Sequence, residues 1–258
     1  MNISEHDLRV IREHFAREAT AGLDVTNAEK ISKAFCSVAR EQFLHPPPWR
    51  VQHGKFGRQC KVVISNAVSD LYRDVLVEID PERSLNNGLP SLWAYILDFC
   101  GDWSNAKTAL HLGCGTGYYT AVISQLMVGG VVYFDEIDDR LFSFAQEALS
   151  GYRNAVPGMA AGPCDMVIYS FGVSVLDRTV VDALTDGGVI VAPVVDQSGQ
   201  GRIVRLEKNG RSLNARVGAP CFFYLDQKNE KFSGRYSFRD MEICIPSKGN
   251  VLLSKSFC

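Results

Sequence analysis

The chain has 258 residues, 46% of them hydrophobic and 22% charged, enough to bury a core of ordinary size in one large globular domain or a domain with an appendage. A formal net charge of −2 creates no field that gathers a polyanion, which argues against nucleic acid as a partner. The eight cysteines stand apart, with no Cys-x-x-Cys pair and no local grouping with histidine, so neither a disulfide framework nor a metal site is expected.

The opening MNISEHDLRVIREHF lacks the apolar centre of a signal peptide, and no run of 18 apolar residues follows anywhere. A soluble, cytoplasmic protein with no membrane association is the expectation. Ser4 followed by Asp7 resembles a capping box, and Leu8, Ile11 and Phe15 recur at helical spacing, which predicts a helix over 5–19. A second helix should start near Thr26, with Ile31, Ala34, Phe35 and Val38 on one face. HPPPWR at 45–50 is expected to end it, because prolines remove donors and force extended backbone. These helices are read as an N-terminal cap over 1–83.

From residue 84 the pattern alternates. PSLWAYILDFC (90–100) is helical, TALHL (108–112) a buried strand and GYYTAVISQLM (117–127) helical. GVVYFDEI (130–137) is a strand, DRLFSFAQEAL (139–149) a helix and CDMVIYSFG (164–172) a strand. RTVVDAL (178–184) is a helix and GGVIVAPVV (187–195) a strand. Short apolar strands alternating with amphipathic helices predict an α/β fold with a doubly wound, mostly parallel sheet over 84–201. Beyond it, RIVRLEKNG and APCFFYL make 202–258 a β-rich part that completes the sheet and the substrate pocket. The polar runs DQSGQG and DQKNEKFSGRYS are read as solvated loops.

The stretch ALHLGCGTGYYTAV (109–122) carries the chemistry. A strand, a glycine turn and a helix in succession put backbone N–H groups and a helix amino end at the carboxyl edge of the sheet, where open α/β folds bind ligands. Gly113, Gly115 and Gly117 permit close approach at no Cβ cost. Glu136 follows about twenty residues after the last glycine, where a carboxylate can accept two hydrogen bonds from a ribose. A dinucleotide and S-adenosyl-L-methionine both remain in play, with a plain structural turn as the alternative to either. The dinucleotide form needs Gly or Ala where Tyr118 stands, and GCGTG is close to the turn of methyltransferases.

The run from Ala109 to Leu141 resembles motif I and the second-strand acidic motif of class I methyltransferases, specifically the protein-L-isoaspartate O-methyltransferase-like group. AFCSVAREQFL (34–44) is similar to that group's VPRE-F element, and LTDGGVIVAPV (184–194) to its L-PGG-L-VPV. The resemblance spans about residues 26–210 and implies a Rossmann-like fold and S-adenosyl-L-methionine as cofactor. Three departures stand out. The group's T-I-S-x-P element, whose serine lies at the substrate carboxylate, is matched by Asn86, Gly88 and Pro90, with glycine at the serine. His111 stands where the group has an acidic residue facing the methionine amino group. SGYRNAVPGMAAGPCD is short for a full third strand ending in the acid that meets the adenine.

The sulfonium of such a cofactor is a cation without a donor on sulfur, so aromatic faces and amide oxygens are what a site offers it. Tyr118 and Tyr119 open the helix after the turn, and consecutive helical residues diverge by about 100°, so one of them is expected at the methyl side. With Asn87 they are the catalytic candidates; packing and a turn at SLNNGLP are the plain alternatives. Gly113, Gly115, Gly117, Glu136, Asn86 and His111 are the cofactor-binding candidates. Tyr169, Ser170 and Phe171, at a strand end, are expected to line the substrate. The expected function is S-adenosylmethionine-dependent O- or N-methyl transfer to a small molecule or peptide, set apart from isoaspartate repair by the missing serine. The alternatives are a cyclase that forms a small cyclic amino acid and methylthioadenosine, and a non-enzymatic cofactor-binding module.

Overall fold

The computed structural model describes residues 4–53, 61–223, 241–244 and 251–252. The loop expected at DQKNEKFSGRYS lies outside the described residues. Two compact units emerge, each assembled from separated pieces of chain: Met1–Asp102 with Cys114–Val128 and Ile137–Ala155, and Trp103–Gly113 with Gly129–Glu136 and Val156–Cys258.

In the first unit, α1 (Glu5–Thr20) begins as its capping signal predicts, with Ser4 Oγ accepting from Asp7 N at 3.1 Å. Phe15 meets Phe35 of α2 (Val25–Ser37) edge to face at 5.9 Å, both rings fully buried. The prolines do not end α2, contrary to expectation. It stops at Ser37, where buried Val38 turns extended (φ −105°, ψ 120°), and a short 3₁₀ turn over Arg40–Phe43 follows. The break is made by tertiary contacts: the Arg40 backbone N–H donates to the Tyr72 hydroxyl at 3.0 Å and its side chain sinks into the interior.

Next comes an antiparallel sheet that the helical-cap reading of 1–83 left unassigned. Its strands are β1 (Trp49–His53), β2 (Lys61–Ser65), β3 (Leu76–Asp80) and β4 (Leu85–Asn86), in the order β2-β1-β3-β4. Val51 of β1 and Val77 of β3 are cross-strand partners and wholly buried. The helix α3 (Pro90–Cys100) starts with proline in its first turn, and the Asp74 carboxylate accepts from Ser91 N at 2.8 Å and Ser91 Oγ at 2.7 Å. The unit also holds α4 (Tyr118–Leu126) and α5 (Asp139–Ala148), the latter capped by Asp138.

The second unit is built on β5 (Thr108–Leu112), β6 (Val131–Asp135), β7 (Ala155–Pro157), β8 (Cys164–Tyr169), β10 (Leu184–Val195), β11 (Gln200–Asn209), β12 (Ser212–Phe222) and β13 (Met241–Cys244). They form one sheet in the order β13-β12-β11-β10-β8-β5-β6-β7. β5 runs parallel to β6 and β8, and β8 parallel to β10; from β10 to β13 neighbours are antiparallel. This is an α/β fold with a Rossmann-like parallel core, continued by the expected β-rich carboxyl-terminal part. Short β9 (Val175–Leu176) pairs with β14 (Val251–Leu252), and α6 (Arg178–Asp182) precedes β10. Leu110, Val167, Ile190, Leu206 and Leu213 belong to one buried cluster. The third-strand region is shortened but present, as three-residue β7 at the sheet edge, with Gly158 N donating to Phe134 O at 2.8 Å. None of the described helices is long and apolar enough to cross a membrane.

Candidate functional site

The second unit brings several predicted residues to one carboxyl edge. Leu112 lies opposite Asp135 on β6 and Tyr169 on β8, so the next residues, Gly113, Glu136 and Ser170, leave three adjacent strands side by side. Gly113 N donates to Asp135 O at 2.9 Å, and Ser170 N to Leu112 O at 2.9 Å, which fixes the start of the turn. Gly113 has φ +75°, and a Cβ there would sit 2.5 Å from Phe171 Cδ1; glycine is required on both counts. The Glu136 side chain is half-buried, directly after β6.

His111 is buried at 1% exposure, with Nε2 2.5 Å from Ser170 Oγ. Burial pulls its pKa down from 6.5 to about 3, so the ring is neutral at pH 7. The neutral ring brings no charge to this strand end. Tyr169 is buried, and its ring meets Phe171 edge to face at 5.4 Å.

In the first unit the turn continues through Gly115 (φ +57°) and Gly117 (φ +93°). A Cβ on Gly117 would press on Leu149 Cδ1 at 3.0 Å and Ala145 Cβ at 3.4 Å, so this glycine lets α4 pack against α5. On Gly115 it would meet Ile79 Cδ1 at 3.6 Å, an ordinary contact. Gly117 is the N-cap of α4 and no side chain caps that end, which leaves first-turn N–H groups pointing out of the helix.

Both tyrosines are packed. Tyr118 is 1% exposed, with its ring 6.3 Å from Phe35 and 5.9 Å from Phe43, and the Arg40 guanidinium 5.7 Å from its centroid. Tyr119 stacks on Trp93 at 4.0 Å and donates its hydroxyl to Gly88 O at 3.1 Å. Burial raises both phenol pKa values above their ordinary range, so neither ring is a base near neutral pH.

The two asparagines are built into the loop before α3. Asn86 Oδ1 accepts from Gly88 N at 2.9 Å. Asn87 Oδ1 accepts from Val77 N at 3.1 Å and from Arg40 Nη2 at 3.0 Å, while Asn87 N donates to Val77 O at 3.0 Å. Arg40 is the residue that sequence reasoning missed. It is wholly buried, and its Nη1 donates to Leu71 O at 2.6 Å and Arg73 O at 3.3 Å, its Nη2 also to Val75 O at 2.9 Å. The available signal was a lone arginine inside the quoted AFCSVAREQFL, in a chain whose charged residues otherwise favour the surface. Among the described residues, no group of His, Cys, Asp and Glu is placed to hold a metal.

Comparison with known proteins bears on this geometry. The profile of the protein-L-isoaspartate(D-aspartate) O-methyltransferase family matches residues 15–230. A protein-L-isoaspartate O-methyltransferase of Rhodopseudomonas palustris is 32% identical over 108 residues, 38% of this chain and 49% of that protein, so the chain spans about half that relative's length. A solved protein-L-isoaspartate O-methyltransferase has a TM-score of 0.67 at 22% identity, covering 83% of this chain and 65% of the other. A Plasmodium falciparum protein of the same type, solved with S-adenosyl-L-homocysteine, has a TM-score of 0.63 at 16% identity over 86% of this chain and 98% of that one. These two show likeness of fold.

The family match corrects the expected separation from isoaspartate methylation, and with it the cyclase and the non-enzymatic module. The loop that carries Gly88 is braced by Asn86, Asn87 and Tyr119. With most of its length under the family profile and its fold shared with solved members, the chain belongs to the protein-L-isoaspartate(D-aspartate) O-methyltransferase family.

Proposed function

We propose that the protein is an S-adenosylmethionine-dependent methyltransferase that esterifies the free carboxylate of isoaspartyl residues in proteins or peptides. The supporting observation is the strand edge where Gly113 and Glu136 emerge side by side in a chain of this family. The strand edge suits an adenosyl cofactor in one respect that the geometry carries: a half-buried carboxylate, Glu136, sits one strand away from the glycine turn. Glu136 accepts hydrogen bonds from the ribose hydroxyls in this reading, and the backbone from Gly113 allows close approach.

When bound, the cofactor supplies a methyl group on a positively charged sulfur. The protein's part is to align and to exclude water. A carboxylate acceptor is already ionised at neutral pH and needs no general base. That agrees with a strand edge whose His111 is neutral. Radiolabelled methyl transfer to a synthetic isoaspartyl peptide, beside its normal aspartyl counterpart, tests the reading. Label should enter the isoaspartyl peptide alone; cofactor binding without transfer to either would overturn it.

A further inference from the structure

On that reading of the cofactor site, we propose that Met159 is a site of reversible oxidation beside the bound adenosine, and that its conversion to the sulfoxide lowers the protein's affinity for the cofactor. Every residue that places it belongs to the second unit.

Strand order locates the base. β5, β6 and β7 are successive neighbours in the sheet, and Gly158 N, directly after β7, donates to Phe134 O near the carboxyl end of β6 at 2.8 Å. Gly113, Glu136 and Met159 therefore leave one edge in succession, at steps of about 5 Å, the spacing between strands. A ribose held at Glu136, with the methionine end of the cofactor turned toward the glycine of β5, leaves its purine on the side of β7.

Met159 is presented there. Gly158 turns the chain at φ +94°, Ala160 packs on the buried cluster of the sheet, and between them Met159 is 50% exposed. A thioether is polarizable and sits favourably about 5 Å from an aromatic ring, often at its edge, so a purine beside β7 gives this side chain a partner.

The same exposure opens the sulfur to a peroxide, whereas Met127 and Met166 are buried. The sulfur lone pair takes one peroxide oxygen, the O–O bond breaks, and the other oxygen leaves as water with both hydrogens. The thioether is oxidised by two electrons and the peroxide reduced by two. The product is polar and chiral where the thioether was apolar, which removes the contact with the base. Methionine sulfoxide reductases reverse the change, with a pair of thiols becoming a disulfide and the oxygen leaving as water.

The experiment measures S-adenosyl-L-homocysteine binding by calorimetry for wild type and Met159→Leu, before and after hydrogen peroxide. Dithiothreitol follows the peroxide to return oxidised thiols, and peptide mass spectrometry locates the added oxygen. Oxidised wild type should carry the oxygen on Met159, bind about tenfold more weakly at an unchanged melting temperature, and recover with methionine sulfoxide reductases. Met159→Leu keeps apolar cover without sulfur. It should start about two- to fivefold weaker than wild type and hold that affinity through peroxide.

Equal losses in the two proteins would put the sensitive group elsewhere and overturn the proposal while the proposed function stands. A Met159 that peroxide leaves unoxidised, or full affinity with the oxygen in place, would do the same. Affinity that follows the state of Met159 in a protein that methylates no isoaspartyl peptide would support this site and overturn the proposed acceptor. Failure of unoxidised wild type to bind S-adenosyl-L-homocysteine would overturn both.

Discussion

At the carboxyl edge of β5 and β6 the backbone does the holding, whereas in the loop before α3 side chains do. Gly113 is set by its own N–H on Asp135 O and by strand register, with Phe171 filling the space a Cβ would need. The loop is set by Asn86, Asn87, Tyr119 and Arg40, the last lying 47 residues from Asn87 in sequence. A backbone-held feature tolerates change around it as long as its glycines stay. A side-chain-held feature shifts when one of its braces is removed.

The strongest test of the contrast is Gly113→Val. Positive φ and overlap with Phe171 together should cost about 3–5 kcal/mol in urea denaturation and remove cofactor binding. Gly115→Ala meets only Ile79 at 3.6 Å, so its expected cost is the positive φ alone, about 1–2 kcal/mol. Equal losses at the two glycines would mean that conformation, and not the Phe171 contact, decides the first. On the loop side, Arg40→Met strips the donors from four acceptors in the interior. A loss of about 3–5 kcal/mol is expected, since breaking a buried charged network costs that much.

His111 sharpens the strand-edge side through pH. Its folded pKa is about 3 against an ordinary 6.5, so below pH 6.5 the unfolded chain takes up a proton that the native ring refuses. The stability it contributes is complete above 6.5 and is lost as pH falls toward 3, at about 1.4 kcal/mol per pH unit. His111→Gln should flatten that part of an acid-denaturation curve. An unchanged slope would show that the ring is not buried neutral. Under the proposed reading, in which Glu136 holds the ribose, Glu136→Gln should weaken S-adenosyl-L-homocysteine binding about tenfold in calorimetry through loss of one charge-assisted bond.

Sequence periodicity located β5, α4, β6, α5 and β8 to within a few residues, because their apolar spacing is local and each is bounded by glycine or an acidic cap. The sheet over β1 to β4 was not legible: its strands are short and mostly polar on one face, and Val51 and Val77 become a core pair only when 49–53 meets 76–80. The end of α2 was misplaced for the same reason, since the contact that turns Arg40 inward comes from Tyr72. Glycine spacing and Glu136 announced the strand edge. Nothing in AFCSVAREQFL announced that its arginine would clasp an asparagine from SLNNGLP, because that partnership exists only in three dimensions.

The smallest expected effect is at Tyr119, and it separates packing from positioning within the loop. Tyr119→Phe keeps the ring on Trp93, 4.0 Å away and nearly parallel, and removes one hydrogen bond to Gly88 O. The loss in stability should be about 0.5–1.5 kcal/mol, the net worth of a single neutral bond. If the hydroxyl only packs, kcat/KM for the isoaspartyl peptide should follow wild type. If it also restrains the Gly88 carbonyl, amide exchange at Gly88 and Leu89 should quicken by more than that loss of stability accounts for. The second pattern is expected, because Gly88 contributes no side chain of its own and its position depends on what Tyr119, Asn86 and Trp93 impose on its backbone.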